Sequence, residues 1–238
     1  MALAYHARPM NLQAITLDLD DTLWPMAPTL RRAEAQLQGW LRQHAPATVA
    51  AHDKAAWLAL RRSVVADRPD WAHDLSALRQ ETIRRALLAA GDDPALAVPA
   101  FAVFFDARQQ VQLFDDVLPA LARLAARWPI VALTNGNADV HRVPGLGRHF
   151  HAALSARDLG LAKPAPAVFA AACQRAGAAP AATLHIGDDP ALDVDGALAA
   201  GLQAAWVRRP AGPDNGTPAG QAHHVVADLT ELADRLGV

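Results

Sequence analysis

The sequence predicts an α/β protein with a Rossmann-like parallel-sheet core and an inserted helical-bundle domain. Short apolar runs of strand length, at 14 to 19, 129 to 134, 183 to 187, 203 to 207 and 224 to 227, each end in turn or polar residues. From residue 113 onward, helical patterns alternate with those runs, which is the signature of βαβ units and hence of parallel strands. Residues 27 to 112, by contrast, carry helical periodicity without a strand. These observations predict a core of residues 1–26 and 113–238 interrupted by a helical domain over 27–112.

Taken in order, the first strand lies in "ITLDLDDTLW" (15 to 24). Four helical stretches follow: "PTLRRAEAQLQGWLRQH", "ATVAAHDKAAWLALRRSVV", "DWAHDLSALRQETIRRALLAAG" and "PALAVPAFAVFFDARQQV". Their Trp, Leu and Phe spacing reads as the core of a bundle. The helix "VLPALARLAAR" precedes the strand "PIVALT", and the helix "PAVFAAACQRAG" precedes the strand "TLHIGD". "SARDLGLA" adds a short segment before Lys163. The helix "LDVDGALAAG" leads to the strand "QAAWV", and the Pro- and Gly-rich "RRPAGPDNGTPAGQAHH" predicts an exposed loop before a last strand and helix, "VVADLTELADRLG".

With 238 residues, 52% of them hydrophobic, the chain can bury a sizeable core. A mean hydropathy of +0.06 and 19% charged residues describe an ordinary globular protein. Its net charge of −2 gives no general attraction for nucleic acid or an anionic membrane, so neither is expected as a partner. Cys173 is the sole cysteine, which excludes an internal disulfide and suits a reducing compartment. The opening "MALAYHARPMNLQ" lacks a secretory pattern, and no apolar run reaches the roughly 18 residues of a spanning helix, so a cytoplasmic location is expected. Oligomeric state is not legible.

Chemistry concentrates at the strand ends. Asp18, Asp20 and Asp21 crowd behind the first apolar run, and carboxylates so close repel unless a cation, proton or base lies between them. Strand alternation would put Asp18, Asp20 and Thr22 on one side and Asp21 on the other. In an open parallel sheet the ligand crevice lies at that carboxyl end. "VALTNGN" places Thr134 and Asn135 before Gly136, a hydroxyl and a turn suited to an anion, and "HIGDDPALDVDGA" places Asp188, Asp189 and Asp193. Lys163, in "AKPAP", is one of only two lysines, the other being Lys54, in a chain that otherwise uses arginine. A compact point charge rather than a planar fork is called for at that position.

The order "DLDDT", "LTNG", "KP", "GDDPALD" over the whole chain resembles the haloacid dehalogenase-like (HAD) hydrolase superfamily, and the helical insertion resembles the cap of its subgroup with an early insertion. That resemblance implies that Asp18 is a nucleophile forming an aspartyl-phosphate and Asp20 a general acid and base. It implies that Thr134, Asn135 and Lys163 hold phosphoryl oxygens, and that Asp18, the backbone carbonyl of Asp20, and Asp188 ligate Mg²⁺. Asp193 would support Lys163 or a metal-bound water. Asp189 and Asp195 have no role in that pattern: Asp189 reads as a residue that supports the site or caps a helix, and Asp195 as a solvated helix residue. The dehalogenase branch typically has tyrosine at the position of Asp20, so the second acid argues for phosphoryl transfer. "LDLDDTLW", "RWPIVALTNGNA" and "LHIGDDPALDVDGALAAGLQAAWVRR" look like the bacterial capped phosphatases that act on 5-amino-6-(5-phospho-D-ribitylamino)uracil and FMN. The substrate expected is therefore a small phosphorylated metabolite of flavin synthesis. Sugar phosphates, a phosphomutase and a non-catalytic binding role stand as alternatives. For a flat substrate, Trp24 is a candidate stacking partner and Arg108 a candidate contact to a polar or anionic group. His223 and His224 read as strand-edge residues.

Overall fold

The computed structural model describes residues 11–210, 212–213 and 215–238; the reading of the first ten residues lies outside them. Six parallel strands form one sheet: β1 (Ala14–Leu17), β2 (Ile130–Thr134), β3 (Ala152–Ser155), β4 (Thr183–Gly187), β5 (Gln203–Val207) and β6 (His224–Val226). They lie in the order β3-β2-β1-β4-β5-β6. Ile15 pairs with Ile130 on one side and Leu184 on the other, so β1 is central. The sequence order reverses direction across the β1–β4 pair, and crevices at such switch points are where open α/β sheets bind ligands.

The central strands are apolar on both faces because helices cover both. Ile15, Leu17, Ile130 and Ala132 pack with α6 (Val117–Ala125) and α10 (Leu229–Arg235) through Leu121, Leu124, Leu229 and Leu232. Val131 and Leu133, one residue out of phase, pack on the opposite face against Phe169 and Ala172 of α8 (Pro166–Ala176) and Ala197 of α9 (Gly196–Ala199).

Between β1 and β2 lie α1 (Met26–His44), α2 (Pro46–Ala51), α3 (Lys54–Asp67), α4 (Leu75–Ala90) and α5 (Ala97–Arg108). Leu37 and Leu41 of α1, Ile83 and Leu87 of α4, and Ala100 and Phe104 of α5 form a separate core. The stretch 47 to 65, expected as one helix, is two. Asp53 caps α3 by accepting from the Ala56 N–H at 2.8 Å, and a side chain that satisfies a helix start in this way ends the helix before it.

Three further expectations are corrected. β1 stops at Leu17 rather than 19, because the chain turns back on itself through an Asp20–Trp24 bridge with Asp21 left-handed at φ 58°. "SARDLGLA" is preceded by the edge strand β3, half-exposed and therefore without an apolar signature, and then forms α7 (Ala156–Leu159). The helix expected over 192 to 201 opens as a π-helical turn, Pro190–Asp195, capped by Asp189, before α9. Among the described residues no helix is long and apolar enough to cross a membrane.

Candidate active site

Each strand end delivers one part of the site. Asp18 follows β1, Thr134 ends β2 and Asp188 follows β4, while Lys163 arrives from the loop before α8. All four line a cavity of 750 Å³, together with Asp20, Asp193 and residues of α1, α3, α4 and α5. The loop before α8 and the end of β1 bring residues 145 positions apart into contact. Lys163 Nζ donates to Asp18 Oδ1 at 2.6 Å and to Asp193 Oδ1 at 2.5 Å.

Lys163 is fixed at its backbone as well. The Asn135 side chain accepts from the Lys163 N–H at 2.7 Å and donates to the Lys163 carbonyl at 3.0 Å. The Asn135 carboxamide is therefore committed to holding Lys163. Thr134 Oγ1 accepts from the Gly136 N–H at 2.9 Å, stabilising the turn that follows β2. A Cβ at Gly136 would lie 2.6 Å from Asp20 Oδ2, so only glycine lets Asp20 approach this turn.

Asp193 is anchored on every side. It accepts from His185 Nε2 at 3.1 Å and from the Asp189 N–H at 2.9 Å, and His185 Nδ1 in turn lies 2.8 Å from Thr16 Oγ1. Burial lowers the pKa of His185, so the ring is neutral, donating through Nε2 and accepting from the Thr16 hydroxyl. Thr16 and His185 are register partners of β1 and β4. A Cβ at Gly187 would lie 2.2 Å from Asp193 Cγ, so the end of β4 also requires glycine. Asp195, expected to be solvated, instead accepts from the Ala219 and Gly220 N–H groups and pins the loop before β6.

The electrostatics leave room for a cation. Burial opposes the Lys163 ammonium, but the charges of Asp18 and Asp193 outweigh it and raise its pKa above the ordinary value. Burial also opposes ionisation of Asp193, yet Lys163 and His185 hold its pKa well below the carboxylate range. Asp188 is pushed up to about 8 by burial and by the charges of Asp18 and Asp193. Asp18 is pushed up to about 7, again by burial, with the Lys163 charge opposing and that of Asp193 adding. Oxygen atoms of Asp18, Asp188 and Asp193 lie within 4.8 Å of one another. Since both oxygens of Asp193 already accept from Lys163, His185 and Asp189, Asp18 and Asp188 are the pair with acceptor capacity to spare. Asp188 Oδ1 is steadied by the Thr22 hydroxyl at 2.8 Å. A buried and a half-buried carboxylate that repel each other and offer hard oxygen donors fit a divalent cation such as Mg²⁺.

Asp20 is held differently. Arg108 Nη2 lies 2.6 Å from each of its oxygens, and the Trp24 indole N–H donates to Oδ1 at 2.8 Å. Trp24 is completely buried in the core below β1, so its ring offers no face to a ligand and the stacking expectation is corrected. Arg108 is no surface residue either, with 2% of its area exposed. Asp21 points to the start of α1, where Oδ1 accepts from the Met26 N–H. His185 and Thr16 escaped sequence reasoning, as did Arg31, Arg61 and Arg79 of the cavity wall, while Thr22, placed beside Asp18 and Asp20 from the sequence, holds Asp188. For Thr16 and His185 the signal was the strand register, which needs the neighbouring strand to be known.

Comparison with known proteins agrees with this arrangement. The family model for haloacid dehalogenase-like hydrolase matches residues 12–201. The 5-amino-6-(5-phospho-D-ribitylamino)uracil phosphatase YigB of Escherichia coli (strain K12) is 33% identical, with 88% of this chain and 87% of that protein aligned. A phosphoserine phosphatase of Thermus thermophilus is 30% identical over 93% of this chain and 98% of its own. The crystal structure of a 2-haloacid dehalogenase from Pseudomonas syringae pv. Tomato DC3000 superposes with a TM-score of 0.88 at 37% identity, covering 94% of this chain and 98% of that one. The chain therefore belongs to the haloacid dehalogenase-like hydrolase family, as an enzyme whose curated relatives are phosphatases.

Proposed function

We propose that the chain is a Mg²⁺-dependent phosphatase that cleaves a small phosphate monoester through an aspartyl-phosphate on Asp18, with residues 27–112 acting as the cap that selects the leaving group. The observation that carries this reading is the convergence of Asp18 and Asp188, at adjacent strand ends, with Lys163 from the loop before α8, Lys163 Nζ lying 2.6 Å from Asp18 Oδ1.

Asp18, Asp188 and the backbone carbonyl of Asp20 would hold Mg²⁺, which when bound neutralises charge on the phosphate that otherwise repels a carboxylate nucleophile. An Asp18 oxygen attacks phosphorus as the bond from phosphorus to the alcohol oxygen breaks. Lys163 and the Thr134 hydroxyl steady the phosphoryl oxygens. Asp20 gives the leaving alcohol its proton, then takes one from the water that attacks the aspartyl-phosphate, releasing phosphate and restoring Asp18.

For the substrate, the Escherichia coli relative supports a phosphate of the riboflavin pathway, or FMN. Cytoplasmic residence is supported by the lone cysteine, Cys173, which is free and buried. A second reading, dehalogenation of a 2-haloacid, is favoured by the 37% identity to the Pseudomonas syringae structure. Asp20 speaks against it, because halide leaves without a proton and needs no acid two residues after the nucleophile. Phosphate release from a panel of esters including FMN, with and without Mg²⁺, and halide release from 2-chloropropionate decide between them. Metal-dependent phosphate release that disappears in Asp18→Asn supports the phosphatase; halide release alone would replace it with the dehalogenase.

A further inference from the structure

The cavity that holds the aspartates is divided by charge. Its sheet side contributes six aspartates and Lys163, whereas the charged lining residues of the helical side are Arg31, Arg61, Arg79 and Arg108, with no acid among them. Composition explains why these are arginines rather than lysines, but not why every charge on one wall has the same sign.

Their partners do not balance them. Arg79 pairs with Glu34 at 2.8 Å and lies over the Phe104 ring, 3.7 Å from its centroid. Arg108 spends Nη2 on Asp20, leaving its Nη1 buried without a hydrogen-bond partner. A buried donor left unmade is costly, more so when charged, unless a ligand supplies the acceptor. Arg31 and Arg61 are exposed on the cavity wall and make no ion pair or hydrogen bond with any described residue. Repulsion among these guanidiniums is relieved when an anion sits between them. Phe104 is the one aromatic side chain among the residues lining this cavity, and Arg79 already covers its face, so the wall is built for charge rather than for stacking.

We propose that Arg31, Arg61 and the free Nη1 of Arg108 form a second anion subsite, so that the preferred substrates are phosphate monoesters whose leaving alcohol carries another anionic group, a carboxylate or a second phosphate. This rests on the phosphatase reading for the reacting phosphate and stands against the flavin-pathway substrates, whose leaving alcohols carry no second anionic group. Arg31 and Arg61 are specificity residues in this scheme, since they touch the part of the substrate that does not react.

The test compares esters that differ only in that second charge: 3-phosphoglycerate with glycerol 3-phosphate, and fructose 1,6-bisphosphate with fructose 6-phosphate. In the wild type, kcat/KM should favour the charged member by about 10- to 100-fold, the range of one or two charge-assisted hydrogen bonds. In R31Q/R61Q, whose substituted side chains are exposed, that ratio should fall about tenfold or more, and added salt should shrink it in the wild type. Calorimetric Kd values for the same pairs with Asp18→Asn, and with Asp18→Asn carrying R31Q/R61Q, read the subsite without turnover. A preference confined to the bisphosphate assigns the site to a second phosphate, and one shared with 3-phosphoglycerate assigns it to carboxylates too. Equal Kd for charged and neutral esters would overturn the subsite and leave the phosphatase standing. A binding preference with no phosphate released from any ester would overturn the phosphatase reading alone.

Discussion

Arg108 Nη2 sits 2.6 Å from both carboxylate oxygens of Asp20, so the last residue of α5 grips the loop that follows β1. One ion pair thereby ties the helical insert to the candidate acid and base of the sheet domain. Removing one partner of a buried pair leaves an uncompensated charge, at a cost of about 3–5 kcal/mol. Arg108→Gln should approach the lower end of that range in urea unfolding, because Asp20 keeps the Trp24 N–H. The double variant D20N/R108Q should recover about 1 kcal/mol or more of the summed losses. Simple additivity of the two single variants would show that the pair carries no coupling.

On the proposed mechanism Asp18→Asn should lower kcat by at least about 10³, since no other side chain replaces the attacking carboxylate. Asp20→Asn should cost about 10² to 10⁴, the usual contribution of a positioned acid and base. The two can be told apart by single-turnover kinetics: Asp20→Asn forms the aspartyl-phosphate slowly, whereas Asp18→Asn forms none. An active Asp18→Asn enzyme would remove Asp18 from the mechanism.

Lys163→Met should destabilise the fold as well as end activity, because Asp18 and Asp193 both lose the ammonium between them. A loss of about 3 kcal/mol or more is expected from chemical denaturation. Lys163→Arg should not restore turnover, since a planar fork cannot put one nitrogen within 2.6 Å of both acids in this enclosed space. Full activity in that variant would mean the site reads charge alone.

Without a cation, burial holds Asp188 near 8 and Asp18 near 7, against 3.8 for an ordinary aspartate. A carboxyl with a raised folded pKa binds its proton more tightly in the folded chain. Its contribution to stability is therefore full below the unfolded value and is lost as pH climbs to the folded one. The metal-free protein should lose stability between about pH 4 and about pH 8 on this account. Mg²⁺ competes with those protons, so the rise in Tm that it produces should be larger at about pH 8 than at about pH 5.5. An equal Tm shift at both values would show that these carboxyls are not where the ion binds.

Gly187→Ala forces a Cβ to within 2.2 Å of Asp193 Cγ, so Asp193 must move and with it the anchor of Lys163. Thermal unfolding should show a loss of about 1–3 kcal/mol, and kcat should fall with it. Wild-type kinetics in this variant would mean that Lys163 needs no support from Asp193.

Much of this was legible before any coordinate. The strands around β2, β4 and β5 announced themselves because parallel strands buried on both faces must be continuously apolar. Lys163 stood out because the chain has only two lysines, and Asp18, Asp188 and Asp193 because acids packed at strand ends need something between them. What misled was local. β3 is half-exposed at an edge, the break between α2 and α3 is made by one capping aspartate, and Trp24 is as consistent with a core as with a ligand until its surroundings are known.

The sequence by itself determined the fold class and, through the order of its motifs and their resemblance to a known family, singled out the candidate acids and the lysine, since hydrophobic period, charge and motif order are read along one line. Only the tertiary structure decided who meets whom. Strand register set Thr16 beside His185 and so anchored Asp193; the return of α5 set Arg108 on Asp20; and the packing of the insert over the sheet set four arginines opposite six aspartates. The physical reason is that those pairings span up to 169 residues of chain. Their energies depend on burial and distances of a few ångströms, quantities that exist only once both faces of the sheet and the helical wall have closed on each other.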